Sequence, residues 1–266
     1  MSKAHALVTN DDGIGSGFLR HLVEALLPDF KVSVAAPATE QSWIGRAMSR
    51  HNDVKVVAKP DYFGSEVQSW AIGGTPSDCV NIALGHLIKE PVDIVLSGIN
   101  IGYNTTDTLI LSSGTVAGAI EGALWDLPAI AFSQCIPETH FAEVSQSKGQ
   151  TSGSLKTQME QAAAHARRFA LELLKAPSPT GTVININFPT EVDANTPVED
   201  CTPAHIRLGS LYAETEPGTF RFRYSDGSYR HNHDQSDREV LKRGSISRSL
   251  LDFAHVGRPV HEWSRQ

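Results

Sequence analysis

Six residues, Ala4 to Thr9 (AHALVT), are apolar enough for a buried strand and run directly into Asn10-Asp11-Asp12-Gly13. Phe18, Leu19, Leu22, Val23 and Leu26 then recur at helical spacing before Pro28, and KVSVAAP (31–37) reads as a second strand closed by Pro37. Two parallel neighbouring strands need a crossover, usually a helix, so this order reads as the opening of a parallel α/β sheet.

The alternation continues. VKVVAK (54–59) and VQSWAI (67–72) read as a hairpin around residues 60–64. Thr75-Pro76-Ser77-Asp78 combines a Thr cap, a proline at the first helical position and an acid at the third, and predicts a helix running to Ile88. VDIVLSGIN (92–100) is a strand, 101–113 a loop rich in Asn, Thr and Ser, 114–125 a helix despite its glycines, and LPAIAFSQ (127–134) a strand. Residues 137–153 read as a surface excursion, 154–175 as a helix and TVININF (182–188) as a strand stopped by Pro189. The expected fold is α/β, a Rossmann-like, doubly wound, mostly parallel sheet. After Pro189 the texture changes: RLGSL, TFRFRYS and REVLKRGSISRSLL suggest β-hairpins. The expected division is an α/β core over 1–190 and a β-rich extension over 191–266.

Composition bounds the function. The 266 residues are 40% hydrophobic and 20% charged, which suits a folded chain with a sizeable core and not a disordered one. No stretch approaches the ~18 apolar residues of a membrane-crossing helix, and the first acids come too early for a secretory leader. Cys79, Cys135 and Cys201 are too few and too scattered for a disulfide framework or a zinc site. The expected setting is the cytoplasm. A net charge of −7 argues against a nucleic-acid polymer as partner, yet leaves room for a small phosphorylated substrate if a cation reverses the local field.

Asp11 and Asp12 carry the central clue. Ligands of open α/β sheets bind beyond the carboxyl ends of the strands, and two adjacent carboxylates there repel each other unless a cation or proton sits between them. Their hard oxygens favour Mg²⁺, Mn²⁺ or Ca²⁺ over zinc; a solvated Asp-Gly turn is the plain alternative. Two further strand ends are followed by Ser42 and by Asn100. If the three strands are parallel neighbours, Asp11, Asp12, Ser42 and Asn100 can offer oxygens to one octahedral ion, a layout for metal-assisted hydrolysis. Ser113-Gly114-Thr115 precedes a helix, where hydroxyls and free backbone N–H groups suit a phosphate, or where Ser113 simply caps the helix. Asn104 lies in the loop between the two sites.

NDDG, Gln41-Ser42-x-x-Gly45, GTPSDCV (74–80), SGIN-x-G-x-N (97–104) and SGTVAGAIEGA (113–123) occur in this order. Together they resemble the stationary-phase survival protein SurE family of 5′/3′-nucleotidases. The resemblance implies a phosphomonoesterase acting on nucleoside monophosphates, with one divalent metal ion per subunit and self-association as a dimer or tetramer through exchanged C-terminal segments. It implies Asp11, Asp12, Ser42 and Asn100 as metal ligands, with Asp11 and Asp12 also catalytic, and Asn104, Ser113, Gly114 and Thr115 as phosphate-binding residues. The chain departs from the family pattern at Trp43, where glycine is usual, and at Ser112, where an aromatic is common. Ser236-Asp237 and GSISRSLL (244–251) match the family's C-terminal features loosely, with Arg248 in place of a small or apolar residue.

Other phosphoesters, including short polyphosphate, are the rival substrates. A receiver-like signalling module is disfavoured because the later strand tips carry Ser42 and Asn100, not an aspartate. His231-Asn232-His233-Asp234 has ligand-type residues, but its polar surroundings favour a loop that reaches into an active site over metal ligation. Phe220, Phe222 and Tyr224 alternate with Arg221, Arg223 and Ser225, the pattern of a strand with one face packed on a core or an interface.

Overall fold

The computed structural model describes residues 3–225, 227–231 and 233–257. β1 (Ala4–Thr9), α1 (Gly17–Leu26), β2 (Phe30–Pro37), β3 (Val56–Ala58), β4 (Gln68–Ile72) and α2 (Pro76–Ile82) form the first half of the fold. β5 (Ile94–Ile101), α3 (Thr106–Ser112), α4 (Gly114–Leu124), β6 (Ala129–Gln134), α5 (Glu138–Gln146), α6 (Gly153–Lys175) and β7 (Thr182–Phe188) form the second. Then come β8 (Val198–Asp200), β9 (His205–Arg207), β10 (Tyr212–Glu216), β11 (Thr219–Phe222), β12 (Ser228–His231), α7 (Asp237–Lys242) and β13 (Ile246–Asp252).

Among the described residues, nine strands make one sheet in the order β3-β4-β2-β1-β5-β6-β7-β13-β8. The six from β4 to β7 are parallel; β3 and β13 run antiparallel to their neighbours β4 and β7. The fold is therefore the expected doubly wound α/β sheet. The alternation of β1 divides its side chains between two cores: Ala6 and Val8 pack with Phe18, Leu22 and Phe169 of α1 and α6, while Leu7 packs with Val80 and Ala119 of α2 and α4. All five apolar positions of the α1 stripe are buried. The start of α2 is a reciprocal cap, with Thr75 accepting from the Asp78 N–H and Asp78 from the Thr75 N–H.

Four local expectations need correction. The helix after Thr75 is α-helical only to Ile82 and continues as a π-helical turn over Ala83–Leu87. The loop 101–113 contains α3, whose first-turn Asp107 N–H bonds the Ala204 carbonyl at 3.0 Å; this helix leans on distant residues, which local pattern does not reveal. The excursion 137–153 contains α5, a helix with Val144 as its buried residue and hence almost no apolar stripe. REVLK (238–242) lies in α7, capped by Ser236, instead of a hairpin. The segment after 190 gives β8 and β13 to the edge of the main sheet and two small antiparallel pairs, β10-β11 and β9-β12, outside it.

Candidate active site

The chain runs from β1 to β2 and β4 on one side, then returns to β5, β6 and β7 on the other. The crevice between β1 and β5 is thus the switch point of the sheet, where ligands of such folds bind. Asp11 and Asp12 sit at its β1 rim and Asn100 at its β5 rim.

Asp11 is buried. The Thr115 hydroxyl donates to its Oδ1 at 2.5 Å, and its backbone carbonyl accepts from Gln41 at 2.7 Å. Gly114 makes this approach possible: a Cβ there would lie 2.7 Å from the Asp11 Cβ and 3.1 Å from the Gln41 carbonyl. Asp12 is partly buried, and its Oδ2 accepts from the Ile101 N–H at 3.1 Å. Burial pushes the Asp11 carboxyl up to about 6, against the downward pull of the Thr115 hydrogen bond. Asp12 is held well above the usual carboxylate range, first by burial and then by the charge of Asp11.

Asn100 reaches the crevice through an irregularity. The β5–β6 register shifts between Ser97 and Asn100, a bulge of the kind that re-aims a side chain. Gly98 sits inside it with φ +133°, and a Cβ there would lie 2.4 Å from the Phe132 carbonyl oxygen. The Asn100 amide donates to the Gly102 carbonyl at 2.9 Å, which leaves its oxygen able to accept a hydrogen bond or to coordinate a cation. Ser42 lies on an irregular loop pinned by Gln41 N–H to Asp11, Gly45 N–H to Ser112 and the Thr75 hydroxyl to Ala47. Its side chain is exposed and donates to Glu40 at 2.7 Å.

The expected phosphate residues are less free than their spacing suggests. Ser113 caps α4, accepting from Val116 N–H at 3.1 Å, and keeps its O–H proton to donate. Thr115 serves Asp11 with its hydroxyl. Asn104 is buried: its side chain donates to Ser133 at 2.9 Å, its N–H to Asn187 at 2.7 Å, and its carbonyl accepts from Asn185 and Asn187. Sequence reasoning missed Asn185 and Asn187. Their signal was two amides at alternate positions of the otherwise apolar TVININF, which puts both on one face of a buried strand. It also missed the role of Asp237, whose buried carboxylate accepts from Thr106 N–H at 2.7 Å and Ala204 N–H at 3.0 Å.

Side chains around the site pair and pack with one another. Arg46 pairs with the buried Glu121 at 2.5 Å. Trp43, with φ +61°, meets Phe222 of β11 edge to face, ring centroids 5.0 Å apart. Cys79 is fully buried. Of the histidine run, Asn232 and the side chain of His231 lie outside the described residues; His233 Nε2 lies 3.2 Å from the Thr202 hydroxyl. Among the described residues no group of three or more His, Cys, Asp or Glu side chains is disposed to hold a metal. The candidate set is two carboxylates with a hydroxyl and an amide. An adjacent carboxylate pair, lifted out of its normal range by burial and mutual repulsion, is nevertheless the chemistry a hard divalent cation relieves.

Fold and site together define an open α/β protein with an acidic, oxygen-rich crevice at its switch point. Comparison with known proteins narrows this. The family model "Survival protein SurE" matches residues 6–209, and the chain belongs to the SurE family. A protein named 5′-nucleotidase SurE from Cytophaga hutchinsonii is 34% identical over 252 residues, covering 93% of this chain and 90% of that one. One of the same name from Methanosarcina mazei is 34% identical over 194 residues, covering 73% and 70%. The crystal structure of the SurE protein from Aquifex aeolicus superposes with a TM-score of 0.73 at 24% identity, covering 97% of this chain and 96% of that one, and so shares its fold.

Proposed function

We propose that this chain is a 5′-nucleotidase, with 3′-nucleotides as further substrates, that hydrolyses nucleoside monophosphates to nucleoside and phosphate with the help of one divalent cation. The single observation that carries the reading is the adjacent Asp11–Asp12 pair at the switch point, both carboxyls pushed upward by burial. The relatives named as 5′-nucleotidases support the substrate class.

Asp11, Asp12, Ser42 and Asn100 would hold the cation. When bound, Mg²⁺ or Mn²⁺ supplies positive charge for a phosphoryl oxygen and Lewis acidity for a water nucleophile. The chain supplies the rest. Asp11 or Asp12, poised by burial, takes the proton of the attacking water. The first turn of α4 presents the Gly114 N–H and the Ser113 hydroxyl, donors suited to the charge that builds on the phosphoryl oxygens. Asn104, clamped by Asn185 and Asn187, fixes the loop beside them. The exposed aromatics Tyr212, Phe220 and Phe222 of the β10-β11 hairpin support self-association as a dimer or tetramer.

The test strips the protein with EDTA and restores Mg²⁺ or Mn²⁺ with AMP, GMP, UMP, short polyphosphate and p-nitrophenyl phosphate. Metal-restored phosphate release from the nucleotides is expected, and Asp12→Asn should abolish it while keeping a cooperative melt. Absence of release from any substrate would overturn the reading; release from polyphosphate alone would move the substrate class.

A further inference from the structure

Asp11 is tied to α4 through Thr115, and Asp12 lines a crevice together with Gly13, Thr39, Glu40, Ile101, Ser145 and Lys148. Lys148 comes from the short turn after α5. Three backbone bonds fix that turn: Lys148 N–H to Ser145, Gly149 N–H to Val144 at 2.8 Å, and Gly17 N–H to the Lys148 carbonyl at 2.8 Å. The last of these docks the turn on the start of α1, a few residues past the acidic pair. Lys148 itself has φ +55°. That left-handed conformation is strained for a lysine, whereas glycine or asparagine adopts it readily. The backbone at this position therefore favours a residue other than the one present. What lysine adds is a long, exposed cationic side chain at the mouth of a crevice whose ionisable groups are otherwise Asp12 and Glu40.

We propose that Lys148 is a substrate-recognition residue that binds the anionic group of the substrate from the α1 side of the acidic pair, opposite the donors of α4. The left-handed backbone at Lys148 closes the end of α5, and the fastened turn places the Lys148 stem within reach of the crevice mouth. The inference rests on the proposed phosphomonoesterase activity and deepens it by naming a specificity-determining residue outside the metal and phosphate motifs.

The test is Lys148→Gly, which deletes the ammonium while relieving the backbone strain. Its melting temperature should be equal to or above that of the native protein, and its KM for AMP at least ~10-fold higher, the loss of one charged contact, exceeding any fall in kcat. Lys148→Arg should restore most of the KM. The KM of the native enzyme should rise with salt more steeply than that of the glycine variant, since the charge that salt screens is gone. If Lys148→Gly melts lower, Lys148→Asn, which also suits the left-handed region, carries the same comparison. A KM within about twofold of native in the better-folded variant would overturn the proposal, as would a tighter Mn²⁺ affinity with KM unchanged, which would make Lys148 a mere counter-charge to the acids. A native protein that releases no phosphate from AMP would instead sink the underlying activity.

Discussion

Replacing Thr115 by valine keeps the shape of the side chain and removes one hydrogen bond, the 2.5 Å donation to Asp11 Oδ1. A hydrogen bond to a charged group contributes ~1.5–3 kcal/mol. At 1.36 kcal/mol per pKa unit, its loss raises the Asp11 carboxyl by ~1–2 units. Asp11 begins at about 6, so in Thr115→Val it titrates at roughly 7–8. A cation at this site competes with that proton. Near pH 6.5 the ionised fraction of Asp11 falls from about three-quarters to between about one-quarter and a few per cent, so apparent Mn²⁺ affinity should drop roughly 3- to 25-fold. Near pH 9 Asp11 is ionised in both proteins and the affinities should converge. Calorimetric titration of EDTA-stripped protein with Mn²⁺ across this range reads the effect directly. Equal affinities near pH 6.5 would refute the claim that Thr115 tunes Asp11. A loss of the same size at both pH values would show that the methyl group disturbs the pocket and that proton competition is not the cause.

Two further outcomes follow from the same geometry. Gly98→Ala places a methyl 2.4 Å from the Phe132 carbonyl at φ +133°; a loss of ~3 kcal/mol or more, some 6–12 °C in Tm, is expected, and a native-like melt would mean the bulge relaxes freely. In the absence of metal, Asp11 titrates at about 6 in the fold against an ordinary 3.8. The native state then holds the extra proton between these values, and stability falls by ~3 kcal/mol as pH rises through about 6. Asp12 acts in the same direction. His5 and His21, held below their ordinary value by burial, act in the opposite one. The readout is therefore the Tm difference between Mn²⁺-loaded and stripped protein, in which the histidines cancel. It should widen from about pH 5 to about pH 7.5; a constant difference would remove the metal from the pair.

What was legible in the sequence was what local pattern encodes. β1, α1 and β2 follow from apolar spacing, and the start of α2 from Thr75, Pro76 and Asp78. Asp11 and Asp12 could be placed at a strand tip because a strand that ends in consecutive acids has only one place to put them. The missing helices have tertiary causes. α5 buries Val144 and little else, so its sequence carries no stripe. α3 lacks a side-chain cap and is held instead by Ala204 and Asp237, a hundred or so residues away. The bulge that aims Asn100 leaves no periodic trace either; its one mark is Gly98, which reads like any loop glycine until Phe132 is seen against it.

The same long-range bonds bear on how the two parts of the chain relate. Thr106 has φ +67°, an unfavourable conformation for a β-branched residue. Its N–H points at Asp237, whose other oxygen takes the Ala204 N–H. Two residues earlier, Asn104 is gripped by Asn185 and Asn187 of β7. The loop that follows Asn100 is thus held from one side by the core and from the other by α7. Both grips satisfy buried backbone groups that would otherwise be orphaned, each at ~1–3 kcal/mol. A segment distinguished in sequence by its change of texture is therefore a structural support of the candidate site. The division near residue 190 separates two styles of sequence, and the geometry of the crevice depends on both.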